Sequence, residues 1–321
     1  MSSQHLAALV DLSPSTAEFR DAVWSGLSQP QKSIPAKFFY DREGSRLFEA
    51  ICETPEYYPT RTEKALLADI APEIGALVGS GRTVVEYGSG AGEKIRMLFD
   101  NLAGPAGYVP VEISRARLIE VVGELAVAYP NIQIAPVCAD YTKPFTLPRM
   151  SSAPSWLGFF PGSTIGNFTL PQATQFLSQA RRMLGCGSYF VIGADLRKDE
   201  TVLNAAYNDA AGVTADFNLN LLARINRELD GTFALDGFAH RAFYAPEQGR
   251  IEMHLVSLRA QRAAVGERIF AFSEGETIHT ENSYKYDLEQ FRGLAGSAGW
   301  SHRKMWTDPD RLFSVHLLAC E

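Results

Sequence analysis

In Val84-Val85-Glu86-Tyr87-Gly88-Ser89-Gly90-Ala91-Gly92-Glu93-Lys94, an apolar run leads into three glycines at alternate positions, and a charged, helix-favouring segment follows. That pattern is a strand entering a tight turn and leaving it as a helix. Glycine lets the backbone take positive φ there and approach a ligand closely, because no Cβ stands in the way. The dinucleotide fingerprint Gly-x-Gly-x-x-Gly fails in both registers. Glu93 stands at the third glycine counted from Gly88, and Ile95 at the one counted from Gly90. Nicotinamide cofactors are therefore disfavoured.

Outward from this turn, short apolar runs alternate with amphipathic ones, which is the signature of a parallel sheet with crossover helices. Strands are expected at Thr83–Tyr87, Tyr108–Glu112, Ile132–Val137, Trp156–Phe160 and Tyr189–Gly193. Helices are expected at Ser114–Ala128, capped by its Ser, and at Pro171–Leu184, opened by its Pro. The rhythm then breaks. A long helical stretch is expected over about Glu200–Leu229, followed by a strand-like region from Phe233 to Tyr286. The helix Asp287–Ala298 and a hairpin of Arg303–Thr307 and Leu312–Ala319 return to the sheet pattern and complete seven strands. The expected organisation is an α/β fold with a discontinuous second domain. Residues 1–60 and 197–285 form that domain, and 61–196 and 286–321 form the sheet domain.

The 321 residues are 46% hydrophobic, enough for an ordinary core, and carry a formal charge of −7. Polyanion binding relies on clustered Lys and Arg, and no basic run appears, so nucleic acid is disfavoured and a small neutral or zwitterionic substrate is preferred. No apolar stretch approaches the ~20 residues of a membrane span, so a cytoplasmic protein without a membrane partner is expected. Cys52, Cys138, Cys186 and Cys320 are widely spread and read as buried thiols, with no zinc site or disulfide framework signalled. His5, His240, His254, His279, His302 and His316 are scattered, with no acid at catalytic spacing, and are assigned no chemistry.

The glycine turn matches Glu-x-Gly-x-Gly-x-Gly (Glu86, Gly88, Gly90, Gly92), the first motif of class I methyltransferases. Their co-substrate, S-adenosylmethionine, carries a sulfonium cation and a zwitterionic methionine end, so a carboxylate beside the turn is chemically sensible. Glu112 ends the next strand, where an acid can accept both ribose hydroxyls. Asp140-Tyr141 follows the third strand, where class I enzymes bond the adenine amino group and pack a residue on the base. Asp140 as a helix N-cap remains the alternative reading. After the fourth strand comes Phe160-Pro161-Gly162-Ser163-Thr164-Ile165-Gly166-Asn167-Phe168. Asn167 offers donors and an acceptor to an amino acid, though an Asn that only shapes a turn reads the same way.

Together with that loop, six further pieces in order along the chain closely resemble the histidine-specific Nα-methyltransferases of ergothioneine biosynthesis. These are Lys37-Phe38-Phe39-Tyr40-Asp41, Pro55-Glu56-Tyr57-Tyr58-Pro59-Thr60-Arg61-Thr62-Glu63, the glycine turn with Glu93-Lys94, Tyr207-Asn208-Asp209-Ala210-Ala211-Gly212-Val213-Thr214, Arg250-Ile251-Glu252-Met253 and Glu281-Asn282-Ser283. The resemblance implies a Rossmann-like class I sheet with a second, substrate-binding domain and a cleft between the two. It implies three methyl transfers from S-adenosylmethionine to the α-amine of L-histidine, through its mono- and dimethylated forms, to give hercynine. It also implies that Tyr57, Gly88, Lys94, Glu112, Asp140 and Tyr141 hold the co-substrate, with Glu86 and Gly90 in the same turn. Gly162, Asn167 and Tyr207 would meet the amino acid's backbone groups. Tyr40, Tyr57, Met253, Glu281 and Ser283 would surround the imidazole and amine, with Asn167 and Tyr40 orienting the reacting nitrogen. Met253 as simple core and Glu281 as a solvated charge are the plain alternatives. The sequence departs from the family pattern at Glu112, where Asp is usual, at Ser114, where a second acid often follows, and at Tyr141, in place of Phe. A monomer is expected. The rival functions are an N-methyltransferase for another amino acid and a non-catalytic sensor of the co-substrate.

Overall fold

The computed structural model describes residues 6–150 and 155–321, which form two compact units. The first unit contains residues 6–13, Pro59–Arg197 and Lys285–Glu321. Its sheet runs in the order Val10–Leu12, Val137–Ala139, Gly107–Glu112, Arg82–Tyr87, Ser155–Phe160, Tyr189–Asp195, Phe313–Ala319, Ser301–Thr307. The first six strands are parallel, and the last two are antiparallel to their neighbours. This is the Rossmann-like class I methyltransferase sheet, with the glycine turn at the carboxyl end of its central strand. Gly107–Glu112 is buried along its whole length, as strands covered on both faces must be. Ile70 and Ile74, Ile95 and Phe99, and Leu118, Val121 and Leu125 come from three helices and pack with Val84, Tyr108, Leu157 and Val191 of the strands.

The expected strand Ile132–Val137 is two short pieces, Gln133–Ile134 and Val137–Ala139. Pro136 lies between them and has no N–H to donate, so it interrupts the ladder. Its carbonyl instead accepts from Val10 N at 3.1 Å, and Ala7 N donates to Ile134 O at 2.8 Å. Residues 6–13 thus add a strand to the sheet edge, whereas residues 1–60 were expected to lie entirely in the second domain. Val10–Leu12 is exposed throughout, so no apolar periodicity marked it. Covering an open edge is its physical role. The boundary expected at residue 60 also falls inside the first turn of the helix Tyr58–Val78.

Ser114 precedes the helix Arg115–Ala128, but its side chain makes no capping hydrogen bond. The Glu112 carboxylate takes the local N–H groups instead. The second expected cap is stronger than foreseen: Thr169 and Gln172 form a reciprocal capping box ahead of Leu170–Leu184. Cys138 and Cys320 are buried, but Cys186 is exposed and Cys52 half-buried. Cys186 sits in a turn between Gly185 and Gly187, both at positive φ, which keeps it at the surface.

The second unit contains Pro14–Tyr58 and Lys198–Tyr284. Its four-stranded sheet is ordered Lys32–Ser33, Thr277–Tyr284, Arg250–Ser257, Phe238–Ala245, and a separate hairpin pairs Gln261–Val265 with Arg268–Phe272. The single helix expected over residues 200–229 is two, Glu200–Ala206 and Val213–Glu228. Gly212 at φ 75° breaks it, and the Asp209 carboxylate accepts from Val213 N and Thr214 N, each at 2.8 Å, to start the second helix.

Candidate active site

Gly88, Gly90 and Gly92 have φ of 78°, 48° and 72°, left-handed conformations that explain the three glycines. Inside their turn, Ser89 Oγ is buried without a hydrogen-bond partner among the described residues. A polar atom left so in a backbone cradle suits a ligand that supplies the missing bond. Beside the turn, Glu112 Oε1 accepts from Ile113 N at 2.8 Å and Ser114 N at 3.1 Å, while Oε2 has Gly90 N at 3.4 Å. Burial raises the Glu112 pKa, and the three backbone N–H groups work against that rise. Glu86 lies deeper. It accepts from the Tyr108 hydroxyl of the neighbouring strand, and its carboxyl is pushed up to about 8, chiefly by burial.

Asp140 begins no helix. Its Oδ1 accepts from Thr142 N at 3.0 Å and from the Thr142 hydroxyl at 2.5 Å, which fixes it in a turn at the sheet's carboxyl edge. Tyr141 packs edge-on against Tyr87, Phe160 and Phe176, and its ring edge is 4.0 Å from where a Gly88 Cβ would stand. In the loop after the fourth strand, Gly162 and Ser163 have φ of 80° and 55°, and Ser163 Oγ accepts from Asp195 N at 2.8 Å. Asn167 closes the short 3-10 turn Thr164–Asn167 and is half-buried.

In the second unit, Met253 and Glu281 are cross-strand partners, as are Ile251 and Ser283, so all four share one face of the sheet. The register shifts just beyond Met253, where Thr280 is the extra residue and donates to Asn218 Oδ1 at 2.8 Å. A bulge of this kind re-aims the side chains next to it. The Tyr207 hydroxyl donates to Ser283 Oγ at 2.7 Å, and the Tyr207 and Tyr57 rings meet edge to face at 6.0 Å. Phe48 stands between Tyr40 and Tyr57 at 5.8 and 6.2 Å. Burial holds the Tyr57 phenol well above its usual pKa, and Tyr207, Cys52, Glu281 and Tyr40 push in the same direction. Tyr40, Tyr57, Tyr207, Met253, Glu281 and Ser283 therefore form one neighbourhood, drawn from chain positions more than 200 residues apart.

A model of the family "Histidine-specific methyltransferase, SAM-dependent" matches residues 19–320. This chain belongs to that family. The histidine N-alpha-methyltransferase of Mycolicibacterium smegmatis is 40% identical over 303 residues, 93% of this chain and 94% of that protein. Its counterpart in Mycobacterium tuberculosis is 38% identical over 306 residues, with 94% of each chain covered. Ergothioneine biosynthesis protein 1 of Neurospora crassa is 28% identical over 90% of this chain, which spans 33% of that longer protein. Among the described residues, no helix is long and apolar enough to cross a membrane.

For this family member, the described structure adds three features that the sequence pattern did not single out. Glu63 was quoted only as part of a motif, yet it is buried against Lys94 and Gly162. Asp195 and Lys285 form a fully buried ion pair at 2.7 Å beneath the Ser163 turn. The histidines were also read as lacking an acidic partner, but His254 Nε2 lies 2.9 Å from Glu252 Oε2, because residues two apart on a strand share a face. His279 joins them as a potential metal ligand set. The His254 and His279 rings are stacked with planes 9° apart, and in-plane lone pairs of parallel rings do not converge on one ion.

Proposed function

We propose that this family member trimethylates the α-amine of L-histidine with S-adenosylmethionine, giving hercynine, the first step of ergothioneine biosynthesis, and that it acts as a monomer. Family membership carries the reaction class, and the carboxylate of Glu281 beside Met253 carries the choice of histidine. A carboxylate accepts from an imidazole N–H, a contact that no apolar side chain supplies.

S-adenosylmethionine, when bound, supplies a methyl group on a sulfonium that departs as a neutral thioether. The orphan Ser89 Oγ, the three left-handed glycines and the carboxylates of Glu112 and Asp140 suit its hydroxyl-rich, cationic chemistry. In our reading Tyr57, Glu86, Gly88, Gly90, Lys94, Glu112, Asp140 and Tyr141 hold it. Gly162, Asn167, Tyr207 and Ser283 meet the amino acid's amine and carboxylate. Asn167 and Tyr40 orient the amine lone pair, and Tyr40 and Tyr57 present ring faces and hydroxyls to the cation that grows with each transfer. Orientation of this kind supplies up to ~7–11 kcal/mol in favourable intramolecular cases. The amine loses its proton to solvent before each transfer.

The test is mass spectrometry of the protein incubated with S-adenosylmethionine and all twenty amino acids. Three methyl groups gained by histidine alone is the expected result. Methylation of a different amino acid would remove the role of Glu281 while leaving the reaction class intact.

A further inference from the structure

We infer that Glu63 is a positioning residue that sets the Lys94 ammonium and the Gly162 peptide together. The inference rests on the reading of Lys94 as a co-substrate contact and of the Gly162 loop as the acceptor loop. Glu63 lies on the helix Tyr58–Val78 and is 1% exposed. Its Oε2 is 2.5 Å from Lys94 Nζ and 2.8 Å from Gly162 N, and its Oε1 is 3.0 Å from Gly162 N. Lys94 follows directly from the glycine turn, at the start of the helix Glu93–Phe99. Gly162 opens the loop that ends in Asn167. One buried carboxylate thus holds both.

The fold makes room for this carboxylate specifically. A Cβ at Gly193, on the strand Tyr189–Asp195, would stand 2.1 Å from Glu63 Oε1, so a larger residue there would push the carboxylate out of this position. A buried acid is costly unless it is paired and hydrogen-bonded. Here one ammonium and one peptide N–H meet that requirement. Lys94 has three donors, of which Glu63 takes one, and this orients the remaining two. Glu63 touches no reacting atom in this scheme and works through its two partners.

The two partners can be separated by substitution. In Glu63→Gln an amide oxygen in the place of Oε2 still accepts from Gly162 N, while the Lys94 ammonium loses the negative charge that holds it. Glu63→Leu removes the acceptor for both. The affinity for S-adenosylmethionine is read by calorimetry without turnover, and kcat and the histidine KM are read at saturating co-substrate. For Glu63→Gln the co-substrate Kd is expected to rise about tenfold, the scale of one charge-assisted hydrogen bond, with kcat at saturation within about threefold of the parent. For Glu63→Leu the same rise is expected, together with a further fall in kcat of at least about tenfold as the Gly162 loop is released. Lys94→Met serves as the control. If Lys94→Met leaves the Kd unchanged, the reading of Lys94 as a co-substrate contact fails. If Lys94→Met weakens binding and Glu63→Gln does not, only the role of Glu63 fails. Equal kcat values for Glu63→Gln and Glu63→Leu would overturn the link to Gly162. Should Glu63→Leu not fold, the near-isosteric Glu63→Gln still tests the link to Lys94.

Discussion

Replacing Glu112 with Gln tests how this chain grips its co-substrate. In the structure Oε1 is committed to two backbone N–H groups, Ile113 at 2.8 Å and Ser114 at 3.1 Å, whereas Oε2 has only the long Gly90 contact at 3.4 Å. A glutamine must keep its oxygen toward Ile113 and Ser114, so its NH2 replaces Oε2. That position can then no longer accept a ribose hydroxyl. A hydrogen bond to a charged group is worth about 1.5–3 kcal/mol net, so the one lost bond raises Kd by about 12- to 150-fold. Stability should not fall in parallel. Burial raises the Glu112 pKa, which means the ionised form is the one disfavoured in the folded protein, and a neutral amide relieves that cost. The expected result is a Tm equal to or above that of the parent, with calorimetric affinity for S-adenosylmethionine reduced by the stated factor. The parent's affinity should also decline as acidification protonates Glu112, at higher pH than for an ordinary glutamate, and the Gln variant should lack this decline. Unchanged affinity in a folded Gln variant would refute the assignment of Oε2 to the co-substrate.

Glu281→Leu should lower kcat/KM for histidine by about 10²–10³-fold, because a site built to bond an imidazole N–H loses its acceptor, and Glu281→Gln should lose about tenfold. Steady-state kinetics with Tm as a control decides it, and a Leu variant of undiminished kcat/KM would refute the contact. Tyr207→Phe removes the donor to Ser283 Oγ, both side chains being buried. It should cost about 1–2 kcal/mol in stability and raise the histidine KM while leaving co-substrate Kd within threefold, as read by denaturant titration and calorimetry. His316 is fully buried, stacked on Phe291 and bonded to Ser314, and its pKa is lowered to about 3, chiefly by burial. Below about pH 6.5 the unfolded chain binds a proton there that the folded chain refuses, so stability falls as pH falls. From this group alone the loss between pH 7 and pH 5 is about 2 kcal/mol, and His316→Gln should flatten that part of a stability–pH curve.

Much of the sheet was legible from local pattern. Runs such as Val84–Tyr87 and Tyr108–Glu112 are apolar because both faces of a central parallel strand are covered, and the alternate glycines mark a turn that only positive φ allows. The catalogue of motif residues was legible too, since the resemblance is carried by short contiguous pieces. The edge strand Val10–Leu12 was not, because a strand exposed on all its residues leaves no periodic trace, and its hydrogen bonds go to Ile134 and Pro136 far along the chain. The break at Tyr207–Gly212 was missed although Asn208, Asp209 and Gly212 are weak helix formers, and the Asp209 carboxylate turning onto Val213 and Thr214 shows where the second helix starts.

For the candidate site, the sequence by itself determined which residue types were present: acids at three strand ends, an Asn in the acceptor loop, and the Met253 and Glu281 positions. Only the tertiary structure decided how they are held. The bulge at Thr280 that places Glu281 with Met253, the deep pairing of Glu86 with Tyr108, and the seat of Glu63 between Lys94, Gly162 and Gly193 all join residues distant in sequence. Hydrogen bonding and close packing of that kind act through space, so no spacing along the chain encodes them.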